Sequence, residues 1–592
     1  MIAAPFRNLT GHSFRAATKF LAWTVIILPL VVVYNLPTRL TVTGDPLQSL
    51  ASLSDPVVFS FLFLASASMS IYVSTRKSET ELGRVAALAA FALSFGTAFW
   101  EVSQRGFVFE NANFGSDALF ISLIGHVPIP TFYQGEPGTG ILVSLFHSLT
   151  GGGIFETIAF MSIVESVVFM YLSYLLFRWQ VRSPRVAALG SVLLLIADYA
   201  IGGSIGDFWP QTFGALVLFP ILLLTLGKLG TSGRSLLVGT IVILSSVSIH
   251  FLTSFIIVVF LTLLSFVKIV RHEGTRALSY AAASAAALVA YQVLTPGIYI
   301  PILKTLPSVL VNALTAPSSI TGGAGLSISS SGIAPFKLPL WVSAPQFFWL
   351  CFMAAAAVCG LYELFRARLP AIIGAGILTG VSFMALGVLF IPVSGFGLGV
   401  SLTRGMLFVG LFVILAFCGI TIRRHLDNEK IFLIFVSLLI LTSLPVSLAN
   451  HAGVAAQGYD AADMKVGSFL SNFLPQGRQV YGVSSGYPAL QYYMVFKDPP
   501  CPIYSTFYEW NANLQTSLKG TTQQEERIVN SFIDQGCGSG VLVYSATEWS
   551  APYVEVLHQS NAVQLVGGVS IPLVYVSRVY SSNSIQVLAL VP

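Results

Sequence analysis

Five residues at the edges of long apolar runs carry side chains able to move protons or hold phosphate. They are Asp117 in "NFGSDAL", Glu136 in "YQGEPGTG", Asp207 in "SIGDFWP", His250 in "SSVSIHFLTSF" and Arg404 in "SLTRGMLFVG". A carboxylate can deprotonate an acceptor hydroxyl in line with an electrophilic carbon. A guanidinium neutralises a departing phosphate with two parallel hydrogen bonds. A second acid or an imidazole can orient the acceptor or help to hold a metal ion. Trp209, beside Phe208 and Asp207, offers a flat face for a sugar ring or an anchor at a membrane interface. These residue types together suit the transfer of a sugar from a lipid phosphate. Each also has a plainer reading. Asp117 follows Gly-Ser and can cap a helix, Asp207 can initiate a turn, and Glu136 sits in a Gly/Pro turn open to solvent. His250 and Arg404 can be interfacial residues without a chemical role.

The elements that position them are membrane-spanning. The chain has 592 residues, 55% hydrophobic and 9% charged, where a soluble protein carries about 25% charged residues. Mean hydropathy is +0.79. About thirteen apolar stretches of spanning length are expected near 18–35, 56–74, 85–101, 154–177, 186–201, 211–228, 235–249, 251–267, 277–294, 345–364, 370–392, 405–422 and 431–449. The pair at 235–267 reads either as two spans or as one long kinked helix. The basic start runs into Leu21–Tyr34 without a small-residue cleavage site, so a removable signal peptide is not expected.

With the N-terminus in the cytoplasm, the inner segments before residue 450 hold nineteen Lys and Arg. The outer loops hold five: Arg39, Arg105, Lys304, Lys337 and Arg404. That bias is the positive-inside rule, and it places all five candidate residues on the outer side. The net charge of +5 reflects those anchors and carries no implication of nucleic-acid binding. Glu165 and Asp198 fall inside spans; Asp198 can reach outward, whereas Glu165 is deeper and needs a partner.

Two domains follow: a transmembrane part, 1–449, with large outer loops at 102–153 and 295–344, and an extracytoplasmic part, 450–592. Within the first loop, Ala118–Ile124 and Ile141–Leu149 are too short to span and read as interfacial helices. The second loop contains "SSITGGAGLSISSSG", flexible by composition. The C-terminal part mixes amphipathic helices, "DAADMKVGSFLSNFL" and "TTQQEERIVNSFIDQG", with β-branched runs, "RQVYGVSS", "SGVLVYS" and "SIQVLALV". An α/β domain is expected there, with no Gly-rich phosphate loop after a strand. Cys351, Cys359 and Cys418 read as packing residues within spans, and Cys501 and Cys537 as a possible disulfide pair. The fold class is a mainly α polytopic membrane protein with a C-terminal extracytoplasmic α/β domain.

This arrangement resembles the GT-C class of polytopic glycosyltransferases, which includes oligosaccharyltransferase catalytic subunits and protein O-mannosyltransferases. "NFGSDAL" with Asp117 is similar in placement to the first acidic position of that class, in a large first outer loop. "SIGDFWP" with Asp207 is similar to the second, two spans later. The likeness treats spans 18–35 and 56–74 as an added hairpin before a core that begins at 85–101. "IHFLTSF" resembles an outward His-x-x-Thr of related prokaryotic membrane proteins, and "LTRGMLF" the Arg that opens a late span facing lipid phosphate. The resemblance implies a polyprenyl-phosphate-linked sugar donor, Asp117 and Asp207 as catalytic acids, and Arg404, His250, Glu136 and Trp209 as donor or acceptor contacts. The acceptor would be a glycan or a protein, and membrane lipid a partner. A divalent cation, Mg or Mn, would fall to Asp117 and Asp207. The sequence departs from the class in two respects: neither site has an Asp-x-Asp pair, and no WWD-like stretch occurs near the C-terminus. Two other readings fit the composition, a polytopic transporter or lipid flippase using Glu165, and a non-catalytic scaffold presenting the C-terminal domain.

Overall fold

The computed structural model describes residues 19–27, 56–102, 137–152, 154–181, 183–201, 210–228, 233–274, 276–295, 340–366, 369–389, 410–418 and 441–443. It also describes strands at 480–482, 541–545, 576–582 and 585–590, and short pieces at 115, 118, 121–122, 125, 208, 408, 420 and 438–439. Their helices are α1 (19–27), α2 (Pro56–Thr75), α3 (Glu81–Val102), α4 (Gly138–Thr150), α5 (Ile154–Val181) and α6 (Pro184–Ile201). α7 runs from Pro210 to Lys228 with a π-helical turn at Gly214–Leu218. There follow α8 (Gly233–Ile249), α9 (Phe251–Val270), α10 (Arg276–Leu294), α11 (Leu340–Phe365) and α12 (Ala371–Leu389). Residues 410–418 are also helical.

These helices lie on the apolar runs of the sequence because a backbone in hydrocarbon must satisfy its own hydrogen bonds. Five described stretches are long and apolar enough to cross a membrane: Thr157–Val181, Pro210–Gly227, Phe251–Val270, Ala277–Leu294 and Phe347–Phe365. The stretch 235–267 resolves into two helices. His250, extended at φ −160° and ψ 121°, separates α8 from α9. Among the described residues the main core is an apolar cluster drawing on α2, α3, α5–α12 and residues 408–418, with a smaller one where α1 meets α2 and α3. Phe219 of α7 is ringed edge-on by Phe260, Phe408 and Phe412, with centroids 5.3, 5.3 and 5.7 Å away. Large side chains also point outward, including Leu237, Ile241 and Leu244 on α8 and Val289 and Val293 on α10. Such faces cost little in lipid, which is as apolar as they are. Cys418 is buried, but Cys351 and Cys359 are exposed on α11, so the packing role expected for those two does not hold.

At one end of the bundle, arginines join the helices. Arg84, almost fully buried, donates to the carbonyls of Ser74, of Arg76 at 2.8 Å and of Glu79 at 2.9 Å, closing the end of α2 onto α3. Arg185 donates to the carbonyl of Thr75. Arg271, just past α9, donates to Leu364 at 3.0 Å and Leu369 at 2.6 Å, tying it to the α11–α12 turn. The final carbonyls of a helix have no partner within it, and a cation there also opposes the helix dipole. Arg178 and Tyr174 meet Glu81 at 3.1 and 3.3 Å, and Lys19 meets Glu79 at 2.9 Å.

Near the C-terminus the four strands β1 (Val480–Gly482), β2 (Val541–Ser545), β3 (Val576–Ser582) and β4 (Ile585–Leu590) form one sheet in the order β1-β2-β4-β3. β1 runs parallel to β2, and the other pairs are antiparallel, with an irregularity in β3 between Arg578 and Tyr580. Three of these strands coincide with β-branched runs; β3 falls on a segment where no strand was expected. The two amphipathic segments expected at 460–474 and 521–536, and Cys501 and Cys537, lie outside the described residues.

Candidate functional site

The opposite end of the bundle, where α8 gives way to α9, is built from hydroxyls, glycines and one imidazole. A single residue between two helices must supply the cap for the second. His250 does so: its Nδ1 accepts the backbone N–H of Thr253 at 3.2 Å and lies 3.1 Å from the Thr253 hydroxyl. Accepting an N–H at Nδ1 places the proton of a neutral ring on Nε2. The ring is buried, and beneath it Ser254 donates to the Ser246 hydroxyl and the His250 carbonyl.

Three other segments meet this corner. α7 comes so close that a Cβ placed on Gly214 would lie 2.3 Å from the Thr253 hydroxyl, so only glycine permits this approach. Gly214 opens the π-helical turn, an insertion that is common at functional sites. The first turn of α7 is also fixed to α5: the Thr212 hydroxyl donates to Glu165 Oε2 at 3.3 Å, and both residues are buried. Pro210 starts the helix, where its missing N–H costs nothing.

α4 is the second arrival. Its thirteen residues are too few to span, and they end at Gly151, whose φ of 65° suits a left-handed cap. A Cβ on Gly138 would lie 2.7 Å from Ile249 and 2.9 Å from the Ser248 carbonyl, so the start of α4 is seated on the last turn of α8. Its buried face, including Val143 and Ser144, is opposed by an exposed stripe of Ile141, Leu145 and Leu149. That stripe recurs every four residues, as an interfacial helix requires. On the buried side Ser144 meets Ser122 at 2.8 Å, and Ser122 donates back to the carbonyl of buried Ala118.

Among the sequence-predicted site residues, His250 is described. Asp117, Glu136, Asp207, Trp209 and Arg404 lie outside the described residues; an adjacent residue is described for each of the first four, and Phe408 is the nearest to Arg404. Ala118 follows Asp117 and joins the Ser122–Ser144 contact. Pro137 follows Glu136 and leads into α4. Phe208 stands between Asp207 and Trp209, fully buried and edge-on to Phe213 at 5.9 Å. Phe408, four residues after Arg404, packs on Phe219 of α7. The flanks of Asp117, Glu136 and Asp207 therefore attach to the α7–α8–α9 end, whereas Phe408 packs midway along α7, beside Phe260.

Two helix N-termini, those of α7 and α9, meet at this end, and their partial positive charge favours an anion. Thr212, Gly214 and Thr253 were missed by sequence reasoning. The His-x-x-Thr spacing at 250–253 was the only sequence signal available for them. Among the described residues, no group of three or more His, Cys, Asp or Glu converges as a metal site would require.

No protein-family model matches the sequence, and no curated protein matches it. Solved structures do. The oligosaccharyltransferase AglB from Archaeoglobus fulgidus, in complex with an inhibitory peptide and a dolichol-phosphate, superposes with a TM-score of 0.50 at 14% identity. The match covers 83% of this chain and 72% of that one. The apo form of the Archaeoglobus fulgidus oligosaccharyltransferase gives 0.51 at 12% identity with the same coverage, 83% and 72%. ArnT from Cupriavidus metallidurans bound to undecaprenyl phosphate gives a lower TM-score of 0.46 at 11% identity, covering 86% of this chain and 98% of that one. The fold of this chain is thus one that it shares with the oligosaccharyltransferase AglB.

Proposed function

We propose that the chain is a membrane glycosyltransferase that moves a sugar from a polyprenyl-phosphate-linked donor to an acceptor on the extracytoplasmic face. The observation that supports this most is the gathering of the candidate flanks at one end of a fold shared with AglB. AglB has been solved in complex with an inhibitory peptide and a dolichol-phosphate.

In this reading the bond between the anomeric carbon and the donor phosphate breaks as the acceptor oxygen bonds to that carbon. Asp207 or Asp117 takes the acceptor proton, and the polyprenyl phosphate leaves as an anion neutralised by Arg404. His250, held by its cap to Thr253, presents the other side of its ring to the acceptor or the phosphate. Glu136 and Trp209 line the approach. The His250 end faces outward, the arginine-rich end faces the cytoplasm, and residues 450–592 form an extracytoplasmic domain. If a Mg or Mn ion takes part, it is held by Asp117 and Asp207 and adds charge neutralisation at the phosphate.

The experiment is transfer of a labelled sugar from a polyprenyl-phosphate donor in membranes containing the full chain. Asp207→Asn and Asp117→Asn should each lower the rate by about a hundredfold or more, the usual weight of a general base, with folding retained. Full activity in both variants rules this mechanism out.

Glu165 gives a transporter reading its one specific support, since a buried carboxylate at membrane depth is typical of ion pathways. Substrate uptake into vesicles that is lost in Glu165→Gln would favour that reading.

A further inference from the structure

Glu165 is a buried carboxylate for which the proposed chemistry has no use. It is 3% exposed and holds the hydroxyl of Thr212, itself fully buried, at 3.3 Å. Thr212 belongs to the first turn of α7, the same turn that Phe213 ties to Phe208. Two residues further on, Gly214 is pressed against Thr253 of α9. The start of α7 is therefore fixed to α5 by a directional hydrogen bond and to α9 by a close approach.

Both attachments matter for physical reasons. Between helices in lipid, burial of apolar surface gives no drive to choose one rotation over another, so packing and polar contacts set it. The π-helical turn at Gly214–Leu218 places one extra residue in the helix, which shifts the face of everything before it. Thr212 lies on that shifted side, and the bond to Glu165 defines its rotation. The chain leaving the helix backward passes through Pro210, of fixed φ, to buried Phe208 and then to Asp207.

We propose that Glu165 and Thr212 are positioning residues whose contact aims the segment carrying Asp207 into the site. This rests on the reading of Asp207 as the proton acceptor given above. Glu165 touches neither substrate nor reacting atoms; it acts through α7.

The test uses Thr212→Val, isosteric with threonine, and Thr212→Ser in the full chain, with two readouts. The first is sugar transfer. Thr212→Val is expected to lower turnover about tenfold or more, as misplacement of a catalytic group does, with the donor KM unchanged. Thr212→Ser, which keeps the hydroxyl, should restore it, and Glu165→Gln should stay nearer wild type than Glu165→Ala. The second readout is independent of activity. Asp207→Cys in a cysteine-free chain is labelled with a membrane-impermeant maleimide, with Gly151→Cys as a control. Adding Thr212→Val should change the labelling rate at 207 several-fold and leave that at 151 alone. Wild-type turnover and unchanged labelling in Thr212→Val overturn the proposal. If the parent chain transfers no sugar, the reading of Asp207 as a base fails, and the labelling rates alone decide whether the contact positions that segment. If Thr212→Val does not fold, the same labelling in Glu165→Gln and Glu165→Ala decides the matter, with equal rates in both and in the parent overturning the proposal.

Discussion

The two ends of α9 are finished in opposite ways. Past Val270, Arg271 donates to carbonyls of the α11–α12 turn; before Phe251, His250 accepts an N–H from the helix it begins. The contrast extends across the bundle. Beside the Arg271 end, carbonyls at the ends of α2 and α11 are met by Arg84, Arg185 and Arg271. At the His250 end, glycines and hydroxyls bring helix N-termini together. This difference bears on where an anion would go. Positive charge is plentiful at the arginine-rich end, yet Arg84, Arg185 and Arg271 are already engaged by carbonyls, and Lys19 and Arg178 by carboxylates. The His250 end offers two helix starts, those of α7 and α9.

Substitutions at four positions test this difference, from the largest effect to the smallest. Arg84→Ala removes three bonds from a buried cation to carbonyls and should cost about 3 kcal/mol, since each charge-assisted bond contributes about 1.5–3 kcal/mol and losses partly compensate. Thermal unfolding in detergent would show it, while transfer per folded molecule stays near wild type. A specific loss of transfer would mean that the arginine-rich end takes part in chemistry. Gly214→Ala forces a Cβ against Thr253 and should cost about 1–3 kcal/mol. Adding Thr253→Ala should recover part of that loss, and additive losses would show that the close approach is not what the glycine serves. His250→Ala should cost about 1 kcal/mol through the lost cap. His250→Asn, which can also cap, should melt like wild type yet transfer poorly; normal transfer would reduce His250 to a structural residue. Glu81→Gln, in an exposed pair with Arg178, should change stability by about 0.5 kcal/mol or less.

Much of the helical frame was legible in the sequence because lipid imposes one rule on every span. Long apolar runs at 154–177 and 251–267 became α5 and α9, which begin at the expected residues and run four and three residues further. The helix at Ile141–Leu149 was legible from its length and amphipathic spacing, and it extends back to Gly138. Within the site, His250 was legible as a polar residue between two apolar runs. Thr253 was legible only as the end of His-x-x-Thr and Thr212 not at all, since hydroxyls are common within spans and bond to their own helix, as Thr225 does with Ile221. Their significance depends on which helix lies alongside, and a single sequence does not encode that locally. Glu165 was read as needing a partner, but its partner lies 47 positions away. The π-helical turn escaped for a related reason: "GALVL" has no composition that sets it apart from an ordinary apolar helix. Strand β3 was missed because "VSRVYSS" carries three serines, and its pairing with β4 overrides that weak local preference.

The central claim is that phosphate chemistry belongs to the His250 end rather than to the more basic one. Photo-crosslinking the full chain with a polyprenyl phosphate bearing a diazirine next to its phosphate, followed by peptide mapping, tests it most directly. Adducts within 137–152, 208–214 and 250–254 are the predicted result. Adducts around Arg84, Arg185 and Arg271, with none at the His250 corner, would contradict the account.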